Sequence, residues 1–207
     1  LCRMAALWRE RWDGNPGRGG ELPFYIVEIA PCTYEWAQEG KAAYLREAQF
    51  EASRRIPNSG YVSTADLALP HESRQIHPSR KREVGERLAA MALNKTYGMS
   101  WLPCESPTFR SFEQCGKGCI RLDLNNARDG LNRIRDVEGF EVAGADRVFH
   151  PAHLRHNWDK LEVFCDEVDE IVAVRYCFRD WYESRLTNVW GLPLVPFRSD
   201  RWQDTCQ

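Results

Sequence analysis

LPFYIVEIA, residues 22–30, is almost continuously apolar, with Pro23 at its entrance. A strand with one wet face alternates apolar and polar residues, whereas one this uniform is expected in a parallel sheet covered on both faces. The segments around it extend that expectation. Upstream, LCRMAALWRERW (1–12) places Leu1, Met4, Ala5, Trp8 and Trp12 at helical spacing, and no capping residue precedes Leu1, so the chain is expected to begin inside a helix; NPGRGGE (15–21) reads as a loop. Downstream, residues 35–54 read as a long helix with Tyr44, Leu45 and Phe50 on its apolar side. IPNSG (56–60) reads as a turn, YVSTADLA (61–68) as a short strand and its exit, and HESRQIHPSR (71–80) as a polar loop. RKREVGERLAAMALNKTYG (80–98) is amphipathic, with Val84, Leu88, Met91, Ala92 and Lys95 at helical spacing and Gly98 as its stop. Strand, helix, strand, loop, helix is an α/β order, and its polar loop falls where such folds place chemistry.

Near residue 101 the texture changes. WLPCESPTF (101–109) is extended, CIRLDL (119–124) alternates, and FEVAG (140–144), KLEVFC (160–165) and EIVAVRYCF (170–178) are further strand candidates. In RLTNVWGLPLVPFRSDRWQ (185–203), Pro193 and Pro196 exclude a helix interior or central strand. The expected organisation is an α/β part over 1–100 and a mostly β accessory subdomain with an ordered tail over 101–207.

Composition narrows the function. At 43% apolar and 28% charged residues the chain is too apolar for a disordered protein. Twenty-eight basic residues against thirty acidic ones give a net charge of −2, which supplies no field for a polyanion, so nucleic acid is not an expected partner. No run approaches the ~18 apolar residues of a membrane span. Eight cysteines, an even number, tilt the expected setting toward an oxidising compartment: secreted, periplasmic or lysosomal. Cys115 and Cys119 have neither redox-motif nor zinc-site spacing, which leaves a disulfide or two core thiols as the expected alternatives.

His77 is the leading candidate for chemistry. It lies in a loop directly before Pro78, which restricts its backbone as a general base requires. His150, His153 and His156 have a metal-like spacing, but Pro151 interrupts it and no thiolate completes a ligand set, so they read as surface or packing residues. Ser59 and Ser63 read as turn and strand-end residues. Arg198 and Asp200 are expected to form a buried pair anchoring the tail, Arg198 being also a possible carboxylate binder.

Taken together, LPFYIVEIAP, AYLREAQ, IPNSGYVSTADLA, IHPSRKREVGERLAAMALNKTYG, GFEVAGADRVFHPA, VAVRYCF and NVWGLPLVPFRSDRW make a chain that closely resembles the sialate O-acetylesterase family over nearly its whole length. The resemblance implies a catalytic domain of the SGNH-hydrolase type, here an incomplete flavodoxin-like three-layer sandwich. It further implies removal of acetyl groups from acetylated sialic acids or related sugars, with no cofactor or metal. His77 would take the proton of an attacking serine and deliver it to the departing sugar oxygen. In the family that serine lies in a block ahead of the first residue of this chain, so the expected partners are an acetylated sugar and the N-terminal part of the same hydrolase domain. Trp8 and Arg9 match a helical pair of the family.

The orienting acid departs from the family pattern. Three residues before His77 stands Arg74 and two before it Gln75, which can accept an imidazole N–H but offers no charge. Gln75, Asp66 and, less directly, Glu72 are the candidates for that role, while Gln49 and Glu47 are expected to pin the adjacent loop. Loss of both serine and acid, together with abundant tryptophan and tyrosine, supports a second reading: a noncatalytic carbohydrate-binding or assembly module derived from such an esterase.

Overall fold

In the computed structural model, which describes residues 1–12, 22–33, 40–132, 137–157 and 160–202, the chain divides into two units, Leu1–Glu105 and Ser106–Gln207. The expected loop at 15–21 and the start of the helix expected from residue 35 lie outside the described residues. None of the described helices is long and apolar enough to cross a membrane.

In the first unit the opening stretch supplies β1 (Phe24–Val27), which pairs in parallel with β2 (Ser59–Val62). Three helices accompany them: α1 (Cys2–Trp12), α2 (Lys41–Arg55) and α3 (Lys81–Lys95). Arg9 of α1 donates to the carbonyls of Leu22 and Pro57, tying that helix to the entrances of both strands, and Trp8 rests 5.9 Å from Phe24. Met91 of α3 packs with Val62 and Cys104, and Gly60 permits that approach: a Cβ there would stand 2.6 Å from the Met91 sulfur. Beyond β1, the side chain of Gln49 accepts from the Ile29 amide and donates to the Val27 carbonyl. These groups alternate with the Glu28 amide that bonds Val62, so Gln49 satisfies the edge of β1 that faces away from β2.

The second unit holds a seven-stranded sheet of β3 (Thr108–Gly116), β4 (Cys119–Asn125), β5 (Phe140–Ala143), β6 (Phe149–Asn157), β7 (Lys160–Phe164), β8 (Ala173–Tyr176) and β9 (Phe197–Arg198), ordered β3-β4-β7-β6-β5-β8-β9. Every pairing is antiparallel. The sheet curls almost shut: the Val195 amide bonds the Pro107 carbonyl at 3.0 Å, and Phe109 and Phe197, from its two edge strands, stack at 4.4 Å. β6 makes the corner, its first half pairing with β5 and its second half with β7, so Pro151, opposite Glu141, sits where its missing N–H costs no ladder bond to β7. Inward alternation places Ile120, Val142, Val163, Val174 and Tyr176 in a dry core.

This architecture corrects the expected flavodoxin-like SGNH sandwich. Such a fold needs a multistranded parallel sheet with helices on both faces, and the only parallel pairing among the described residues is β1 with β2. Within β1, the centre of the apolar run that suggested double-sided burial, Phe24, Tyr25 and Val27 are half-buried and only Ile26 is buried. The dominant sheet is antiparallel and nearly barrel-shaped.

Strand periodicity also resolves the three histidines. On β6, His150 and His156 point to one face and His153 to the other; His150 pairs with Glu167 at 3.0 Å and His153 lies 5.5 Å from Phe164. Among the described residues no group of three or more His, Cys, Asp and Glu is placed to hold a metal. In the tail, Asp200 takes its main partner from β8 rather than from Arg198: Arg175 forks onto both carboxylate oxygens at 2.8 and 3.0 Å, while Arg198 stands 3.9 Å away. The Arg175 guanidinium lies 4.0 Å over the Phe149 ring, so β8 is covered on both faces.

Candidate functional site

Two places can bear function, one in each unit. In the first, β2 exits into a turn closed by Leu67 N–H to the Thr64 carbonyl, then a 3-10 turn (Pro70–Glu72) and the loop carrying His77. Glu72 is buried and its carboxylate accepts the amides of Leu69 (3.5 Å) and Ser79 (3.1 Å), pinning both ends of that loop. A hydrogen bond from the Ser79 side chain, helped by those amides and opposed by desolvation, holds this carboxyl below the usual range. Thr33 N–H adds a bond to the Ser73 carbonyl at 2.6 Å, anchoring the loop to the exit of β1.

His77 is exposed on this pinned loop, and among the described residues its ring makes no hydrogen bond. Gln75 bonds the backbone of His77, not its ring, through Nε2 to the carbonyl at 3.0 Å. Asp66 gives both carboxylate oxygens to Arg87 of α3, each at 2.7 Å, and Arg87 also reaches the Ser63 carbonyl. The three candidates thus share a neighbourhood without forming a hydrogen-bonded chain. The serines are occupied too: Ser59 donates to the Ser53 carbonyl, and buried Ser63 donates to Glu28. Glu28 is itself wholly buried, accepts the Thr64 amide at 2.7 Å and stands 3.9 Å from Arg46; desolvation outweighs these partners and raises its carboxyl pKa.

In the second unit, a groove of about 1090 Å³ opens along the β3–β4 hairpin and the loop after it. Its wall is polar: Arg110 and Asp123 pair across the hairpin at 3.4 Å, and Asn125, Arg128, Asp129 and His156 line it further. Asn126, at a left-handed φ of 56°, turns the chain there and donates to the Ser106 carbonyl. Over one rim stands the turn 186–194, organised by buried Asn188, whose side-chain oxygen accepts the amides of Trp190 (3.1 Å) and Leu192 (2.9 Å). With its interior satisfied this way, the turn presents Val189 and Trp190 outward, 52% and 59% exposed. The indole N–H of Trp190 donates to Asp129 at 3.3 Å, which fixes a flat apolar face beside a polar trough. No single motif announces this site, because its residues come from three separated segments; the clues in the sequence were NNARDG (125–130), dense in turn and amide side chains, and the lone tryptophan in NVWG (188–191).

No protein-family model matches the chain, and no curated protein does. Among solved structures, a carbohydrate acetylesterase from Xanthomonas citri is 33% identical, with a TM-score of 0.81 over 97% of this chain. The match covers 46% of that esterase, so the chain spans less than half its length. Homology to a carbohydrate esterase is therefore established over the matched length. The narrower resemblance to the sialate O-acetylesterase family, with its SGNH three-layer sandwich, is overturned by the nearly closed antiparallel sheet.

Proposed function

We propose that this chain is the carbohydrate-holding part of an acetylesterase: a module that seats an acetylated sugar in the groove of the second unit and lacks a complete nucleophile–base set among its described residues. The observation that carries this reading is the Trp190 face fixed on Asp129 beside a trough of Asn, Asp, Arg and His side chains, in a chain homologous to a carbohydrate acetylesterase. A pyranose ring has apolar C–H faces and a hydroxyl rim. A held indole covers the former with little loss of side-chain freedom, and carboxylate, amide and guanidinium groups pair with the latter. Amide and guanidinium donors also suit an ester carbonyl, which only accepts. The test is calorimetric titration with acetylated xylo-oligosaccharides and an O-acetylated sialoside. Saturable binding to one of them, weakened at least tenfold by Trp190→Ala, is expected; no saturable binding to either sugar class overturns the reading.

A second reading, catalysis through His77, is favoured by the loop that Glu72 pins at both ends, leaving the imidazole exposed. In it a serine from the N-terminal part of the same hydrolase attacks the acetyl carbonyl. His77 takes the hydroxyl proton and returns it to the departing sugar oxygen, with Gln75, or Asp66 after release from Arg87, orienting the ring. Acetate release from an aryl acetate by the chain co-folded with that segment, abolished in His77→Ala, is the expected result. An unchanged rate in folded His77→Ala material excludes it.

A further inference from the structure

The C-x3-C pair that matched neither a redox motif nor a zinc site, Cys115 and Cys119, lies at the closed end of the hairpin that lines the groove. The register there is irregular: Gln114 pairs with Ile120 and Gly116 with Cys119, so Cys115 is the extra residue of a bulge. Continued without a break, the register that pairs Gln114 with Ile120 would set Cys115 directly opposite Cys119. The bulge keeps Cys115 on that side of the pair and adds one residue, setting two consecutive residues of one strand against one residue of the other. Here Cys115 and Gly116 both oppose Cys119, and Gly116 has no side chain to come between the two sulfurs. Both thiols are free, with Cys115 partly exposed and Cys119 buried. The hairpin turn is held independently of them, since the Gly118 amide bonds the Asp169 carbonyl at 2.8 Å and the Gly118 carbonyl accepts the Cys165 amide at 2.9 Å.

From this geometry we propose that Cys115 and Cys119 are an oxidation site, closed to an intrachain disulfide by exchange with a small-molecule disulfide such as oxidised glutathione. One protein thiolate attacks the glutathione disulfide, forming a mixed disulfide and expelling a glutathione thiolate, which takes up the proton. The second protein sulfur attacks the mixed disulfide and expels the second glutathione. The two cysteines lose two hydrogens and two electrons, and one glutathione disulfide becomes two glutathiones. The bond clasps the end of β3, an edge strand of the sheet, and locks the register of the hairpin whose far end carries Arg110, Asp123 and Asn125 into the groove. Burial, reinforced by the neighbouring Cys119 thiol, pushes the Cys115 thiol up to about 12, so closure is slow at neutral pH and accelerates as pH rises.

Trypsin provides the test, because Lys117 lies between the two cysteines. The folded chain is incubated with oxidised glutathione, quenched with a maleimide under denaturing conditions and digested. Cleavage after Arg110, Lys117 and Arg121 yields SFEQCGK (111–117) and GCIR (118–121), which stay joined in one mass only when Cys115 and Cys119 are linked. The joined mass is expected in more than half of the material, absent in Cys115→Ser, and formed several-fold faster at pH 9 than at pH 7. Two separate peptides, each capped by glutathione or maleimide, overturn the proposal, as does a link from either cysteine to Cys165.

Discussion

The two units satisfy their backbones in different ways. The second is closed on itself: seven antiparallel strands hydrogen-bond in sequence, the edges meet at Pro107 and Val195, and the covered strand β8 buries its one guanidinium against Asp200 and the Phe149 ring. The first has only two parallel strands among its described residues, and side chains do what further strands do elsewhere. Gln49 serves the outer edge of β1, Arg9 holds the strand entrances, and the Glu28–Ser63–Thr64 cluster joins the strand exits. A closed sheet is cooperative, whereas a unit stitched by polar side chains depends on each stitch. The groove proposed to seat a sugar belongs to the closed unit, where its surface is pre-formed, and the pinned histidine loop belongs to the stitched one.

The largest expected effect is in the closed unit. Asp200→Ala leaves Arg175 buried without its forked partner, a loss of roughly 3–5 kcal/mol, read as faster amide exchange along β8, β5 and β9. Unchanged protection there contradicts the assigned role. Gly60→Ala is the corresponding break in the first unit: its new methyl meets the Met91 sulfur and costs roughly 1–3 kcal/mol, visible as a lower urea midpoint for α3 and β2. Glu28 distinguishes the units by pH. Its folded pKa is raised above the ordinary 4.5, so the stability linked to it is fully present below the unfolded value and is lost as pH rises through the folded one. Glu28→Gln keeps an amide oxygen for Ser63 and Thr64 but does not ionise. It should therefore flatten the decline of first-unit stability as pH rises above the ordinary carboxylate range, and a decline of wild-type size in the variant refutes the assignment. The smallest effect is on stability at the groove: Trp190→Ala removes an exposed ring and should shift unfolding by less than about 0.5 kcal/mol, while weakening the proposed sugar binding at least tenfold.

Local pattern carried much of this. The amphipathic α3, the alternation in β4 and the apolar segments that become β5, β7 and β8 are readable from the sequence. β6 is not, since HPAHLRHN offers a proline and three histidines where a strand ordinarily shows β-branched residues, and only its pairing with β5 and then β7 makes it a strand. The apolar run at 22–30 misled the fold class because periodicity reports how apolar a strand is, not how many neighbours it finds. Asp66 looked available beside His77 in sequence, but α3 brings Arg87 onto it from 21 residues away. The groove was invisible for the same reason: residues 110, 129, 156 and 189 line one groove only once the sheet has formed.

Sugar seating in the second-unit groove is tested most directly by an amide chemical-shift titration of the labelled chain with an acetylated xylo-oligosaccharide. Saturable shifts are expected, concentrated at residues 123–131 and 188–191 in the second unit, together with the Trp190 indole N–H. Shifts confined to the His77 loop, residues 69–79, or no saturable shifts at all, contradict it.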